Sequence, residues 1–537
     1  MAENSAAGSH AQGEALFCAA EVMSTAGRPA SRQRLLREAV RLCLGPQEAK
    51  AWHDRATERN DRSYISDLGL SLTLNYPGSD WPEWLLLARR EADKHATYCA
   101  EELRHRLDLL RPGPLSSRSG PLCYVLHMSR PENGTGYAVR SHHLIRAMQK
   151  LGQDLYCVTR LGFPGDVGLP ADQAVQVIEG IRYHRILQPG KRDFSDMQYV
   201  TAATRALIDQ LAPLQPRAIM AASNHENAVP ALLAARHLGV PFIYEMRGFW
   251  ELSSLAANPQ KAGTPEFNRL VQMEAEVAQQ ADLVFTLSEA MQGELRRRGV
   301  TNPALHLLPN AADPEAFQPR PRDRALAQKL GISDDIPVIG YIGSFTLYEG
   351  LDDIVRACVG LHRKGHDFRL LVIGSEPPYL EGRITNELHR IAAEGGITDK
   401  LVMPGRVPVH DVEKWYSLVD IVPLPRKDMA VTELVPPLKP LEAMAMEKAV
   451  VVTDLSALKE IVTHQETGLV VPRSDPDALT EALSALIMDP AMRRALGQRA
   501  RARVIAERNW EAVTCSLRDT LEQAFPKQPA VQPKTER

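Results

Sequence analysis

The residues best suited to chemistry lie in a short segment between Val431 and Thr453. Lys439 and Pro440 stand where a short helix is expected to begin, and Glu442 follows in its first turn. Proline needs no amide hydrogen bond there, and glutamate faces the positive end of the helix dipole. A lysine at the same end is locally unfavourable. We therefore expect the helix start and Lys439 together to hold a phosphate or diphosphate.

A second cation, Arg426, follows the apolar stretch 421–425. Because ligands of parallel sheets bind at the carboxyl ends of the strands, Arg426 and Lys439 are expected to flank one pocket. Arginine grips phosphate oxygens with two hydrogen bonds, whereas lysine acts as a point charge. The pair favours a diphosphate over a solvated surface. Glu442 is either a plain helix-start acid or, beside such a site, a ligand for ribose hydroxyls.

A glycine loop, Asn133-Gly134-Thr135-Gly136, lies between a predicted strand and a predicted helix. Its glycines would let a backbone approach a ligand closely, although a plain tight turn stays open. The loop lacks the third glycine and the downstream acid of a dinucleotide fingerprint, which argues against an oxidoreductase. The helix that it opens carries three basic residues on one face, either solvated or in contact with anionic lipid: His143, Arg146 and Lys150.

A third group combines two carboxylates, an arginine and two aromatic rings at a strand exit, in the segment 244–251. Its charged members are Glu245, Arg247 and Glu251. They are either a structural ion pair or the recognition site for an acceptor sugar. Asp475 and Asp477 resemble a metal-binding pair but precede a helix, so a helix cap is the better interpretation. The sixteen histidines show no metal-ligand spacing, and no metal is expected.

Alternating short apolar runs and helices predict an α/β fold with doubly wound parallel sheets. A proline-rich segment, 309–321, divides the pattern into two domains. Strands are predicted at 122–128, 155–159, 218–221, 241–245, 283–287, 337–343, 369–374, 401–404, 421–423 and 449–453. The predicted segments are a disordered amino terminus (1–30), a helical extension (31–115), two α/β domains (120–308 and 309–508), a final helix (509–525) and a disordered tail (526–537).

The composition of the chain excludes some classes of function. The chain has 537 residues, 44% of them hydrophobic, and its net charge of -3 gives no electrostatic case for nucleic acid. Seven scattered cysteines predict reduced thiols in a cytosolic protein. No run reaches the length of a membrane span, and the amino terminus lacks the features of a signal peptide. We expect a soluble, cytoplasmic protein, with peripheral contact with the inner membrane surface left open.

The stretch from Leu424 to Leu469, with Pro-Leu-Lys-Pro-Leu-Glu at 437–442, resembles the donor site of glycosyltransferase family 4. The glycine loop and the segments 308–313 and 341–345 support the resemblance, which covers roughly residues 120 to 522. It implies a retaining enzyme of the GT-B fold. That fold has two Rossmann-like doubly wound domains facing a cleft, here with a helical N-terminal extension. The last helix, beginning at Trp510, would cross back to the first domain.

The resemblance also implies roles for the residues. Arg426 and Lys439 would stabilise the departing diphosphate, and Glu442 would hold the ribose. Four further residues would contact the nucleotide: Ser344, Gly374, Val407 and Glu433. The loop with Gly134 and Gly136 would close over the phosphates. The acceptor would be bound by Glu245, Arg247 and Glu251. The donor substrate would be a nucleotide-diphosphate sugar, with no metal or other cofactor.

This chain departs from the family's usual pattern at two places. Ser344 and Glu349 stand where the family usually has an arginine and a lysine. Leu434 stands at the first of two usual glutamates, with Glu433 one residue away, while Glu442 matches the second. Arg426 and Lys439 resemble the replacement cations of a subgroup with the Pro-Leu-Lys-Pro-Leu-Glu pattern.

The predicted function is sugar transfer from a nucleotide-diphosphate donor to a glycan or lipid-linked acceptor, in bacterial surface polysaccharide or glycolipid synthesis. Two alternatives stay open. A nucleotide-sugar 2-epimerase would share the architecture but use no acceptor. A non-catalytic GT-B protein would bind a partner through the helical N-terminal region.

Overall fold

The computed structural model of the chain describes residues 2–42, 46–59, 65, 68–69, 83–84, 98–110, 119–187, 190–191, 194–408 and 411–525. Within them lie a group of N-terminal helices and two α/β domains, each built on a largely parallel sheet. The predicted fold class is therefore confirmed.

The N-terminal region begins with four described helices: α1 (Ala2–Thr25), α2 (Pro29–Arg41), α3 (Pro46–Glu58) and α4 (Ala100–Leu109). The prediction of a disordered amino terminus at 1–30 is wrong, since α1 occupies most of it. Alanine is the best helix former, and buried Phe17 stacks on Trp52 with ring centroids 5.6 Å apart. Most of the segment 60–97 and the tail 526–537 lie outside the described residues.

The first domain is an eight-stranded sheet in the order β3-β4-β2-β1-β5-β6-β7-β8, in which β3 alone runs antiparallel to its neighbour among the described strands. Its strands are β1 (Leu122–Leu126), β2 (Leu155–Thr159), β3 (Val175–Ile178), β4 (Ile181–His184), β5 (Ala218–Ala222), β6 (Phe242–Met246), β7 (Leu283–Thr286) and β8 (Leu305–Leu307). Its helices are α5 (Gly136–Lys150), α6 (Asp196–Leu211), α7 (His225–Leu238), α8 (Trp250–Ala257), α9 (Pro265–Gln280) and α10 (Glu289–Arg297).

The second domain is a parallel six-stranded sheet in the order β11-β10-β9-β12-β13-β14. Its strands are β9 (Val338–Ile342), β10 (Arg369–Ile373), β11 (Leu401–Gly405), β12 (Ile421–Leu424), β13 (Ala449–Thr453) and β14 (Leu469–Val471). Its helices are α11 (Arg324–Lys329), α12 (Leu351–Arg363), α13 (Arg383–Glu394), α14 (Val412–Tyr416), α15 (Ala430–Leu434), α16 (Lys439–Ala445), α17 (Ser456–Lys459), α18 (Pro476–Met488) and α19 (Pro490–Glu507).

The two domains are tied together in two places. The last helix, α20 (Trp510–Ala524), buries Trp510 and Leu517 in the first domain's hydrophobic core. Helix α15 of the second domain inserts Val431 and Leu434 into the other core cluster of the first domain. These contacts set the loops that follow the strands of one sheet against those of the other. No helix among the described residues is long and apolar enough to cross a membrane.

Candidate active site

Lys439 begins α16, and its side chain runs across the exit of β9. A Cβ atom on Gly343 would lie only 2.1 Å from the Lys439 Cε atom, so the path of the lysine depends on the missing side chain. The Nζ atom lies 5.4 Å from the centre of the Tyr341 ring. The carboxyl edge of the second sheet therefore holds this cation close to the backbone.

Arg426 reaches the same place from the end of β12. Its Nη1 atom donates a hydrogen bond to the Val435 carbonyl oxygen at 2.8 Å, and its guanidinium lies 5.4 Å from the centre of the Tyr348 ring. The structure thus brings Arg426 and Lys439 together, and Glu349 lies between them. Its Oε2 atom accepts from Lys439 Nζ at 3.0 Å, and its Oε1 atom lies 3.3 Å from Arg426 Nε.

The Glu349 carboxylate is almost completely buried, with 4% of its side chain exposed. Burial by itself raises its pKa, but Lys439 and Arg426 hold that pKa below the ordinary value, so the group is ionised at neutral pH. The Tyr341 hydroxyl lies 3.2 Å from it and 2.9 Å from the Ser344 carbonyl oxygen, within donating distance of both. The cluster is one anion between two cations and carries a net positive charge.

Glu442 follows Lys439 in the first turn of α16 and is half-buried. Burial raises its pKa to about 7, with the nearby Lys439 opposing the rise. Tyr416 is close enough for Glu442 to raise the pKa of its phenol, which burial raises further. The buried Tyr416 hydroxyl has no hydrogen-bond partner among the described residues. Glu442 thus presents a hydrogen-bond acceptor beside Lys439, while Tyr416 lies behind it in the domain core.

A cavity of about 400 Å³ opens beside this cluster, at the carboxyl ends of β9, β10 and β11. Gly374 lines it together with Phe345, Thr385, His389 and Met403. A Cβ atom on Gly374 would lie 1.8 Å from the Gly343 carbonyl oxygen, so the two loops pack backbone to backbone. The predicted Ser344 is exposed next to this contact, and Val407 is half-buried against the domain core.

Glu433 lies apart from the two cations. Its carboxylate accepts hydrogen bonds from the Ser456 hydroxyl and, at 2.8 Å, from Arg473 Nη1. The neighbouring Leu434 is buried in the first domain's core. The segment 433–434 therefore secures α15 between the domains, which differs from the predicted contact with the nucleotide.

The glycine loop of the first domain faces the same site. Gly134 and Gly136 are both exposed. A Cβ atom on Gly136 would lie 3.4 Å from the Leu438 Cδ1 atom, one residue before Lys439. The loop therefore adjoins the start of α16 across the interdomain cleft.

Glu245 and Arg247 form a buried internal network, which is the structural ion pair left open as the alternative to an acceptor site. Glu245 is fully buried. It accepts from Arg247 Nη2 at 2.8 Å, from Arg140 Nε at 2.9 Å and from the Tyr124 hydroxyl. Arg140 also donates to the carbonyl oxygen of Leu308 at 2.8 Å, which fixes the start of the interdomain linker.

Glu251, the third predicted acceptor residue, is also buried. Its Oε1 atom lies 2.7 Å from Arg298 Nη1. Burial and the neighbouring Glu274 carboxylate raise its pKa. Its surroundings are those of an internal ion pair, so the structure does not place it toward a substrate.

His127 is a candidate that sequence reasoning missed. It directly follows β1, and its ring lies edge-on to Trp250, with centroids 4.8 Å apart. Its Nδ1 atom is buried without a partner in the described part of the chain. Burial lowers its pKa well below the usual range, so the imidazole is neutral at pH 7. The signal available in the sequence was its position at a strand exit just before the glycine loop.

The three basic residues on α5 each have a partner among the described residues, and two of them stay partly exposed. The His143 ring stacks on Trp510 at 5.8 Å, and Lys150 Nζ donates to Glu511 at 2.8 Å. Arg146 lies 3.8 Å from Glu179. Only His143 of the three is packed against α20, so the contact of this face with anionic lipid stays a prediction.

Two family models match the chain. Residues 135–311 match a glycosyl transferase 4-like domain, and residues 323–503 match glycosyl transferases group 1. These matches define a glycosyltransferase with both domains of the GT-B architecture. The chain therefore contains the two α/β domains of a glycosyltransferase, a glycosyl transferase 4-like domain followed by a glycosyl transferases group 1 domain.

Two relatives illustrate the range of this similarity. The D-inositol 3-phosphate glycosyltransferase of Xylanimonas cellulosilytica is 28% identical over 56% of this chain and 70% of its own length. A GDP-mannose-dependent monoacylated alpha-(1-6)-phosphatidylinositol monomannoside mannosyltransferase of Corynebacterium glutamicum is 29% identical over 46% of this chain. That alignment spans 63% of the mannosyltransferase, less than two thirds of it.

Solved structures confirm the fold. Sucrose-phosphate synthase of Thermosynechococcus elongatus covers 76% of this chain and 100% of its own at a TM-score of 0.62 and 21% identity. HepE of Anabaena, in complex with UDP and glucose, covers 75% of this chain and 100% of its own at a TM-score of 0.59 and 16% identity. At these low identities, both similarities show the fold alone.

Proposed function

We propose that the protein transfers a sugar from a nucleotide-diphosphate donor to a glycan or lipid-linked acceptor, with retention at the anomeric carbon. The observation that carries the proposal is the pair Arg426 and Lys439, one buried and one partly exposed, brought together around Glu349 at the carboxyl edge of the second sheet. A cavity of about 400 Å³ begins at Gly374, on the far side of Gly343 from Lys439, and has room for a nucleoside.

The donor would lie along this edge. Its base and ribose would occupy the cavity beside Gly374, and its diphosphate would lie against Arg426 and Lys439. Negative charge grows on the leaving diphosphate as the glycosidic bond breaks, and fixed cations in a water-poor cleft stabilise that charge. The pair would supply the neutralisation that a metal ion supplies elsewhere.

Glu442 would accept hydrogen bonds from the ribose hydroxyls. Its carboxylate adjoins the lysine and has no hydrogen-bond donor among the described residues. Burial raises the pKa of Glu442 to about 7. Hydrogen bonds from two ribose hydroxyl groups would lower this pKa again, because they stabilise the ionised carboxylate.

The acceptor would enter from the first domain, next to His127 and Trp250. The Trp250 ring is 36% exposed and offers a stacking face, while neutral His127 offers a free ring nitrogen. The acceptor hydroxyl would attack on the face from which the diphosphate leaves and pass its proton to a phosphate oxygen. The named relatives act on inositol phosphate and phosphatidylinositol mannosides, which favours a lipid or glycan acceptor in a bacterial glycolipid pathway.

The test is thermal stabilisation by UDP-, GDP- and ADP-sugars without added metal. A ligand at a hundred times its Kd should stabilise the fold by about 2.7 kcal/mol. The shift should disappear in the double variant Arg426→Ala, Lys439→Ala. Lys400→Ala is the matched control, because this lysine pairs with Asp367 in the same domain, away from the cluster. Absence of a shift with every donor, or its survival in the double variant, would contradict the proposal.

A further inference from the structure

Glu349 places a carboxylate where the proposed function requires two free cations. Lys439 Nζ and Arg426 Nε lie 3.0 and 3.3 Å from its two oxygens. We infer that Glu349 is an internal competitor of the donor diphosphate for Lys439, and that it sets how tightly the nucleoside diphosphate is held. This inference rests on the proposed function, since it presupposes a diphosphate at these cations.

Lys439 is the cation that can change partners. Its side chain is 19% exposed, whereas those of Arg426 and Glu349 are 5% and 4% exposed. A lysine ammonium has three donors on a flexible stem and can turn from one oxygen to another. The bound diphosphate would therefore take Lys439 away from Glu349, while Arg426 remains between both anions.

The two cations do not depend on Glu349 for their positions. Arg426 is held by the Val435 carbonyl oxygen at 2.8 Å and by the Tyr348 ring. Lys439 passes over Gly343, 5.4 Å from the centre of the Tyr341 ring. Removing the charge of Glu349 should therefore leave the cations in place and without their internal counter-ion.

The consequence for the reaction concerns product release. After transfer, the nucleoside diphosphate carries more negative charge than it did in the donor, so two unopposed cations would hold it more tightly still. Glu349 can reclaim Lys439 as the product leaves, which lowers the barrier to release. Glu349 thus lowers the affinity for the donor and speeds turnover. It acts as a positioning residue, because it contacts Lys439 and Arg426 and not the sugar.

The experiment compares the wild-type chain with Glu349→Gln by titration calorimetry with UDP, GDP and ADP. Glutamine keeps the shape and an acceptor for Tyr341 but lacks the charge. For the nucleotide that binds wild type, we expect about tenfold tighter binding in Glu349→Gln and a steeper loss of affinity with added salt. The donor KM and kcat should both fall, because tighter product binding slows release.

Asp367→Asn is the matched control. Asp367 also faces two cations, with Lys400 Nζ at 2.7 Å and Arg369 Nη1 at 3.5 Å, but it precedes β10 and so lies at the opposite edge of the sheet. Its loss changes the charge of the domain equally and should leave nucleotide affinity unchanged.

The outcomes separate the inference from the proposed function. If the wild-type chain binds none of the three nucleotides, the proposed function fails. If wild type binds one and Glu349→Gln binds it equally or more weakly, Glu349 is not a competitor and the inference is overturned. If Glu349→Gln does not fold, Glu349→Asp replaces it, since a shorter carboxylate retreats from Lys439. Binding about two- to threefold tighter in Glu349→Asp supports the inference, and no tightening overturns it.

Discussion

Each domain buries one glutamate between two cations, and the two clusters differ in what surrounds them. In the first domain, Glu245 lies between Arg140 and Arg247. In the second, Glu349 lies between Arg426 and Lys439. The charges are the same in sign and number, so the comparison isolates the effect of access and of the type of cation.

The Glu245 cluster is closed on every side. Its carboxylate is 0% exposed, and all three nitrogens of Arg140 and both Nη atoms of Arg247 donate to the protein. Arg140 binds the linker at Leu308, and Arg247 donates to the Tyr137 carbonyl oxygen at 3.0 Å. Asn310, which accepts from Arg140 at 3.0 Å, donates in turn to the Pro436 carbonyl oxygen at 2.8 Å. This cluster is a structural tie between the domains.

The Glu349 cluster opens toward the cleft through its lysine. Lys439 has spare donors and a partly exposed side chain, and Gly343 separates it from Gly374 in the wall of the cavity. A buried ion triad is therefore no evidence for a functional site on its own. What distinguishes the second triad is one partly exposed cation that can exchange its partner, with a nearby cavity that can hold the rest of the ligand.

The largest expected effect comes from breaking the closed cluster. Glu245→Ala leaves two buried arginines without their counter-ion and should lower the free energy of unfolding by roughly 3–5 kcal/mol. Urea denaturation measures it. Glu349→Ala, measured alongside, should cost less, because Lys439 can reach water. Equal losses in the two variants would contradict the distinction between the clusters.

A substitution in the Glu349 cluster should lower the rate of transfer, whereas a substitution in the Glu245 cluster should lower stability. Lys439→Ala removes one cation from the proposed leaving group, and we expect transfer to fall about a hundredfold, or ~2.7 kcal/mol of transition-state stabilisation. The free energy of unfolding should change by less than about 1 kcal/mol. Steady-state transfer assays and urea denaturation on the same preparation check both. A large loss of stability with little loss of transfer would assign Lys439 to the scaffold.

The strands were predictable because the buried parallel strands are continuous apolar runs. The predicted strands at 155–159 and 449–453 coincide with β2 and β13 in both bounds. Four strands at the edges of the two sheets were not predicted: β3, β4, β8 and β14. In β3 the side chains alternate between exposed and half-buried, and β3 and β4 form an antiparallel pair at the edge of the sheet. Short polar edge strands carry little of the apolar signal on which the prediction rests.

The site was predictable in part, since strand exits and a helix start identify Arg426, Lys439 and Glu442. Their partner Glu349 was not predictable. It is 77 residues from Arg426 along the chain, and only the sheet order brings β9 next to β12. Glu245 shows the converse limit. Its aromatic and charged neighbours are typical of a sugar site, yet its contacts to Arg140 exist only in the folded chain.

Glu442 tests the electrostatics of the open cluster through pH. Its pKa of about 7, against 4.5 in an ordinary glutamate, means that the folded chain binds this proton more tightly than the unfolded chain. The stability that this proton contributes is present below about pH 4.5 and is lost as the pH rises through 7. Relative to Glu442→Gln, wild type should lose on the order of 2 kcal/mol over this range. Urea denaturation at pH 5, 6, 7 and 8 measures the difference, and parallel profiles for the two proteins would refute the raised pKa.

Gly343→Ala should give the smallest effect, and it asks whether the path of Lys439 matters apart from its charge. The new methyl group would lie 2.1 Å from Cε and 3.1 Å from Cδ of the lysine, so the side chain must leave its path. Arg426 and Glu349 keep their own contacts, and lysine has other rotamers. We therefore expect transfer to fall about tenfold, or ~1.4 kcal/mol, less than in Lys439→Ala.

Gly293→Ala is the control for the glycine substitution. Gly293 lies within α10 with open space where its Cβ would be, so alanine there should leave transfer unchanged and favour the helix slightly. The rate of transfer at saturating donor is measured for both Gly343→Ala and Gly293→Ala. Full activity in Gly343→Ala would mean that the lysine acts from any position within reach of the diphosphate, and the open cluster would then need only its charge. Because alanine is strained at the φ of +153° that Gly343 adopts, a tenfold loss of transfer with an unchanged free energy of unfolding would show that the cleft also fixes where that charge is held.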